Sequence, residues 1–415
     1  MPRSLAVMIA ASLGFFFVTA TTFTSLGYVL YTMVAELHWS QTAAGMSFAL
    51  LGLACGLSSP LPPQLMKAVG TRLTMTIGAL VLAAGFALAG TIDSLYMFFL
   101  ATTLMGIGFS LIAPAPAVYL LATWFPEKSS RMIGFYFMSG AAGGIAGPLI
   151  VGSIVGLTGS WRTHWMVMAG CSVALAVICF VAIRDAVKVE SAEQVRHAGA
   201  KDEGPVAASA WTVKRAMMTP AFAVLALAMA VVQTVVTTCH AMLVSHVASM
   251  GLGASAGAVA MSLLAAAGTL SKGVTGALCE KYPPVRLLVG GLALQSVAML
   301  GMWSGGSVLM VYASALLFGI GWGVTWLSAH ILLVRYYGAA IAGDMTAMAT
   351  MMTTVAVLGP VIAGRVADVT GHYNIVFLAF AGMLGLATIV SALFLRAPEV
   401  VGAVVPEGEA ALAAE

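Results

Sequence analysis

Positive charge within a long apolar stretch is costly, and the clearest case in this chain is Lys272, in the run AAAGTLSKGVTGAL. An ionisable side chain at the centre of a bilayer costs about 2.5–3.5 kcal/mol or more, so a lysine there is a functional candidate whose chemistry is to attract an anion. The competing reading is a lysine whose stem runs to the nearer headgroup layer. Gln233, Thr237 and His240 recur four and three residues apart in another apolar stretch, hence on one helix face. His240 could exchange a proton near neutral pH or donate a hydrogen bond to an anion, or it could serve as polar glue between helices. His246, farther along the same stretch, reads as solvated near the helix end. Trp322, Trp326 and His330 recur at i, i+4 and i+8, and their rings could stack on a flat or apolar acid. Thr21, Thr24, Tyr28 and Tyr31 form a further polar face near the N-terminus. Helix packing or an interfacial belt is the alternative for all of these aromatic residues.

The elements that must position these groups are membrane spans. Of 415 residues, 61% are hydrophobic and 8% charged, with a mean hydropathy of +1.02, whereas soluble domains carry about 25% charge. Apolar stretches of about 20 residues or more recur near 6–34, 42–65, 71–91, 95–122, 131–157, 164–184, 217–249, 255–278, 286–304, 306–334, 341–366 and 374–396. Spanning segments must close their backbone hydrogen bonds internally, so the expected fold is an all-α integral membrane protein of twelve transmembrane helices. The chain also repeats itself. GPLIVGSIVGLTGSW at 147–161 reappears as GPVIAGRVADVTGHY at 359–373, an offset of 212 residues. That points to a duplicated half and two pseudo-symmetric six-helix bundles, an architecture on which many secondary transporters are built.

The expected organisation is an N-terminal bundle over 1–184, a cytoplasmic linker over 185–216 of mixed charge, a C-terminal bundle over 217–397, and a disordered cytoplasmic tail over 398–415. Of the 18 Lys and Arg residues, only Arg162 and Arg365 fall at the side opposite the termini, and Lys272 is the clearest that lies well inside a span. This bias places both termini in the cytoplasm. The first apolar stretch could pass for a secretory signal, but its apolar character continues through Leu30, which favours an uncleaved first helix. Cys55, Cys171, Cys179, Cys239 and Cys279 show no metal-ligand spacing and read as buried free thiols. Asp344, nine residues after Arg335, suits the positive start of a helix, and the two could pair as a gate at the cytoplasmic rim. There is no nucleophile–base pair, metal cluster or phosphate-binding glycine loop, so neither enzymatic activity nor a cofactor is expected. The net charge of +3 follows from the loop bias and implies no nucleic-acid partner.

WFPEKSSRMIGF at 124–135, MVAELHWSQ at 33–41, RYYG at 335–338 and LGPVIAGRVADVTGHYNIVF at 358–377 resemble the major facilitator superfamily, and more narrowly its monocarboxylate porter and oxalate/formate antiporter branches. The resemblance implies a central cavity lined by helices one, four, seven and ten. It implies a substrate-facing cation at Lys272, where the family has an arginine preceded four positions earlier by Asp or Asn, here Gly268. It also implies substrate contacts at Tyr119 and at Tyr28, which falls about where some relatives carry a lysine. The sequence departs from the family in the loop between helices two and three, PPQLMKAVGTRLT, which keeps Lys67 and Arg72 without an acid. The partner loop GALCEKYPPVR keeps Glu280, Lys281 and Arg286. No buried arginine stands in TTLMGIGFS of helix four, which counts against a proton-coupled drug exporter. The expectation is a monomeric carrier of a small organic anion in a bacterial inner membrane, coupled to protons or to a counter-anion.

Overall fold

Hydrocarbon offers no hydrogen-bond partners, so a chain of this hydropathy can cross it only as helices or a closed barrel. A computed structural model describes residues 3–125, 129–185 and 211–398, and these contain helices and no strand. Eleven of the helices among the described residues are long and apolar enough to cross a membrane, and the shorter Gln41–Leu57 supplies the twelfth.

In the first half, α1 (Arg3–Thr21) and α2 (Phe23–Leu37) make one span. They are followed by α3 (Gln41–Leu57), α4 (Leu61–Gly90), α5 (Leu95–Ile112) with α6 (Ala115–Trp124), α7 (Ser129–Thr158) and α8 (Trp161–Ala182). The second half opens with the short α9 (Val213–Met217) and continues as α10 (Pro220–Ser249), α11 (Ala254–Lys281), α12 (Pro284–Ser304) and α13 (Val308–Tyr337). Its eleventh span is composite: α14 (Ala339–Met352), a 3-10 turn (Thr353–Val357) and α15 (Leu358–Thr370), before α16 (Asn374–Phe394) closes the chain.

Starts and breaks follow local chemistry. Ser40, Ser160, Thr219 and Ser307 each accept from the backbone N–H three residues on, satisfying one of the donors a helix start leaves unpaired. The first span breaks at Thr22, whose backbone leaves helical geometry (φ −101°, ψ −92°). Hydroxyls repair the break: Thr22 Oγ1 donates to Val18 O (2.6 Å), Thr24 Oγ1 to Thr19 O (2.8 Å), and Ser25 Oγ to Ala20 O. Between α3 and α4 the chain turns at residues 58–60, and the expected loop that follows is helical apart from one residue. α4 is helical on both sides of Gly70, which alone takes φ +82°, a conformation glycine adopts without steric cost.

The halves meet along α2 with α10, α3 with α15, and α7 with α11. Ser262 Oγ of α11 donates across to Ile145 O of α7 (2.8 Å). Of the linker expected over 185–216, residues 186–210 lie outside the described residues. At its far end Trp211 packs edge-on to Tyr337, with ring centroids 5.6 Å apart. The tail beyond residue 398 also lies outside the described residues. Cys179, Cys239 and Cys279 are buried as expected, whereas Cys171 is exposed on α8.

Spans within a half approach through small residues. A Cβ on Gly106 of α5 would meet the backbone of Leu51 and Cys55 in α3, whereas one on Gly382 of α16 would meet nothing. Gly106→Val should therefore lower stability by about 1–3 kcal/mol, and Gly382→Ala should leave it within about 0.5 kcal/mol, as measured by denaturation in detergent.

Candidate functional site

The polar wall of the site is built on α10. Gln233 Nε2 donates to Thr237 Oγ1 (3.1 Å), and His240 Nδ1 bonds the carbonyl of Val236 (2.7 Å). A carbonyl only accepts, so this bond fixes the proton on Nδ1 and leaves Nε2 to meet a ligand. Gln233, Val236, Thr237 and His240 line a cavity of about 150 Å³ together with Trp322 of α13 and, from the first half, Phe23 of α2 and Phe48 of α3. The cavity thus lies between the halves. Its two phenylalanines meet edge-on, with centroids 5.9 Å apart, and Phe23 directly follows the break at Thr22.

Lys272 stands behind this wall. Its Nζ lies 3.8 Å from the centroid of the Trp322 ring, and the His240 ring approaches the same indole at 6.4 Å and 72°. Because α11 runs on to Lys281, Lys272 is about 14 Å from the helix end at 1.5 Å per residue, deeper than the apolar run alone implies. Side chains on a helix lean toward its N-terminus, which here directs the ammonium inward and away from the nearer surface. A side chain at Gly268 would run into the six-membered ring of Trp322. The indole therefore fills the place of the acid that the family resemblance puts there, and a cation–π contact replaces an ion pair. Such a contact is worth about 0.5–2 kcal/mol. Among the described residues no carboxylate lies within ion-pair distance of Lys272, and Trp322 Nε1 is buried with no acceptor.

Residues 11–357 match the sequence pattern of the Major Facilitator Superfamily. The chain belongs to that superfamily. The superfamily member is 26% identical to the uncharacterized transporter YycB of Bacillus subtilis (strain 168) over 361 residues, covering 85% of this chain and 84% of the relative. An Agrobacterium vitis protein named for tartrate transport is 29% identical over 182 residues, covering 43% of this chain and 41% of its own. The multidrug resistance protein MdtH of Yersinia pestis (strain Pestoides F) is 25% identical over 149 residues, covering 36% and 35%. Among solved structures, a bacterial homologue of the lysosomal transporter Spinster, inward-facing and occupied, superposes with a TM-score of 0.77 at 16% identity, covering 96% of this chain and 98% of that one. The nucleoside transporter NupG gives 0.76 at 16% identity, covering 95% and 100%. This fold is the major facilitator arrangement of two pseudo-symmetric bundles, and the protein is a secondary transporter from a family of transporters, not of enzymes.

Within this transporter, Gln233, Thr237, His240, Trp322 and Lys272 come together, and the other singled-out residues stand apart from the cavity lining. Tyr28 is buried against Gly152 of α7, with Tyr31 partly buried nearby. Thr21 and Thr24 bond back to carbonyls of their own span. Trp326 and His330 pair with each other at 5.1 Å, and His330 Nδ1 bonds Trp326 O (2.7 Å). Tyr119 lies on α6, which packs within the first half. Arg335 donates to Cys279 O (2.8 Å), tying the end of α13 to α11. Asp344 falls on α14, but its side chain lies outside the described residues, and so does the expected pair. Phe23 and Phe48 gave no sequence signal, since nothing in their spacing separates them from the other phenylalanines.

One expectation is corrected. His246 is not solvated: it is fully buried, bonds Met302 O through Nε2 (3.1 Å) and stacks on Phe377 at 4.0 Å. The loop between the second and third spans carries no acid of its own, as the sequence reads, and is met by Asp185 from beyond the end of α8, whose Oδ2 accepts from Thr71 N (3.0 Å). Arg72 in turn lies 4.0 Å over the Phe180 ring. His246→Ala should lower stability by about 1–3 kcal/mol, read as a shifted denaturation midpoint in detergent, with transport of the surviving folded protein unchanged.

Proposed function

We propose that the protein carries small organic carboxylates, monocarboxylates with an apolar or aromatic body, by alternating access. The observation that carries this reading is Lys272: a deep cation with no carboxylate partner among the described residues, held only by the face of Trp322. A carboxylate reaching the cavity would meet the Gln233 amide and the unpaired Trp322 N–H as donors, and His240 Nε2 once that nitrogen takes up a proton. Its body would pack on Phe23, Phe48 and Val236. Neutralising the cation removes a charge that opposes closure over the site. Tyr28, Tyr31, Tyr119, Trp326 and His330 would then serve the entry path and the packing around it, and Arg335 and Asp344 the cytoplasmic rim. Similarity to a protein named for tartrate transport agrees with an organic acid as cargo.

With no acid among the described residues of the cavity lining, coupling falls to His240, to the substrate's own proton, or to exchange of one anion for another. The steep Lys and Arg bias supports an orientation with both termini in the cytoplasm, and the Bacillus subtilis relative agrees with a bacterial inner membrane. Export of amphipathic drugs is the competing function, favoured by the MdtH match and opposed by the lack of a coupling acid among the described residues of the cavity.

The test is uptake of labelled lactate, pyruvate, oxalate, benzoate and branched-chain keto acids into proteoliposomes, with and without an inward proton gradient. Lys272→Gln should cut uptake of the transported acid by at least about 30-fold, the equivalent of about 2 kcal/mol or more, with membrane insertion intact. Full activity of the inserted variant would remove the anion site. If His240 carries the proton, His240→Gln should abolish stimulation by the gradient while leaving counterflow exchange, which a rate comparison at equal substrate concentration measures.

A further inference from the structure

The start of α3 is completed by a residue from the other half. Asp368, near the end of α15, accepts from Gln41 N through Oδ1 (2.7 Å) and from Thr42 N and Thr42 Oγ1 through Oδ2 (2.9 and 2.5 Å). The next backbone donor, Ala43 N, is taken by Ser40 Oγ (3.1 Å). Beside these bonds, Tyr373 Oη donates to Gln41 Oε1 (2.6 Å). A carboxylate suits a helix start, where unpaired N–H groups and the helix dipole both favour negative charge. The backbones around it are in close contact, since neither Gly45 of α3 nor Gly364 of α15 has room for a Cβ against the opposing chain. The described acids Glu36 and Asp185, by contrast, bond within their own half, to Arg162 (2.6 Å) and Thr71 (3.0 Å).

We infer that Asp368 latches the two halves together at the face where α2 turns into α3, and so is a gating residue of the transport cycle. Alternating access requires α3 and α15 to part at this face. Parting breaks all three bonds to the carboxylate at once and returns the α3 donors to water. The latch is one-sided. The 212-residue repeat puts Gly156 opposite Asp368 in register, and the corresponding helix start, α11, is capped by Gly253 with no side-chain bond. The duplicated contact between α7 and α11 therefore lacks the acid that its partner has. The inference rests on membership of the superfamily and not on the identity of the cargo.

The experiment uses the full chain in nanodiscs, with its five cysteines replaced and spin labels at Thr91→Cys and Gly306→Cys. These exposed turn residues stand in opposite halves at the same face. Pulsed electron resonance then reads the gap between the halves. Asp368→Ala and Asp368→Asn should raise the ratio of long to short distances about tenfold, the loss expected for charge-assisted bonds. Gln41→Pro should shift it the same way with Asp368 intact. Proline is accepted at the first helical position and Ser40 is already extended (ψ 153°), so this variant keeps the helix while removing one donor and the acceptor of Tyr373. Combining Asp368→Asn with Gln41→Pro should add little to either alone. An unchanged distance distribution in folded Asp368→Ala overturns the latch. So does widening in Asp368→Ala with a wild-type distribution in Gln41→Pro, which would detach the acid from the helix start.

Discussion

Everything in this molecule follows from one scarcity: inside hydrocarbon, backbone N–H and C=O groups have no water to turn to. Unbroken helices meet the demand, and each interruption has to be made good locally. At Thr22 the hydroxyls of Thr22, Thr24 and Ser25 cover carbonyls that the broken helix releases. In the eleventh span the 3-10 turn is steadied by Thr353 Oγ1 on Thr350 O (2.6 Å). The first interruption stands at the cavity, because Phe23, the residue after it, is part of the lining. Irregular backbone is tolerated in a membrane where protein or a polar cavity surrounds it, and here that tolerance is used beside the site.

The same scarcity governs the cation. Lys272 lies too deep on α11, and leans too far inward, for water or headgroups to be its natural partners. What it has is the face of Trp322, made available because position 268 is glycine and leaves the indole its space. A ring quadrupole holds an ammonium without neutralising it. The site keeps its positive charge while staying ordered, a state well suited to an incoming anion and poorly suited to a cation. His240, pinned through Nδ1, presents its other nitrogen beside the same indole.

Duplication supplies the architecture, and departures from it distinguish one half from the other. The two GP-containing copies place α7 against α11 and α15 against α3 in matching roles. Glycine pairs let these helices touch. Yet the copies differ where it matters: an aspartate closes one contact and a glycine stands at the matching place in the other, and the cation and histidine of the cavity belong to the second half alone.

Composition, the length of the apolar stretches and the 212-residue repeat determined the number of spans and the division into halves, since both depend on hydropathy along one chain. Helical spacing likewise placed Gln233, Thr237 and His240 on one face and marked Lys272 as out of place in lipid. The family likeness was legible in short motifs. Only the tertiary structure decided that Phe23 and Phe48 close the cavity, that Trp322 takes the place of an acid, that His246 is buried between Met302 and Phe377, and that Asp185 serves a loop more than a hundred residues away. These are contacts between side chains on different helices. A period of 3.6 residues fixes the face a side chain occupies on its own helix and carries nothing about which neighbour that face will meet, because that depends on how the helices tilt and pack in three dimensions.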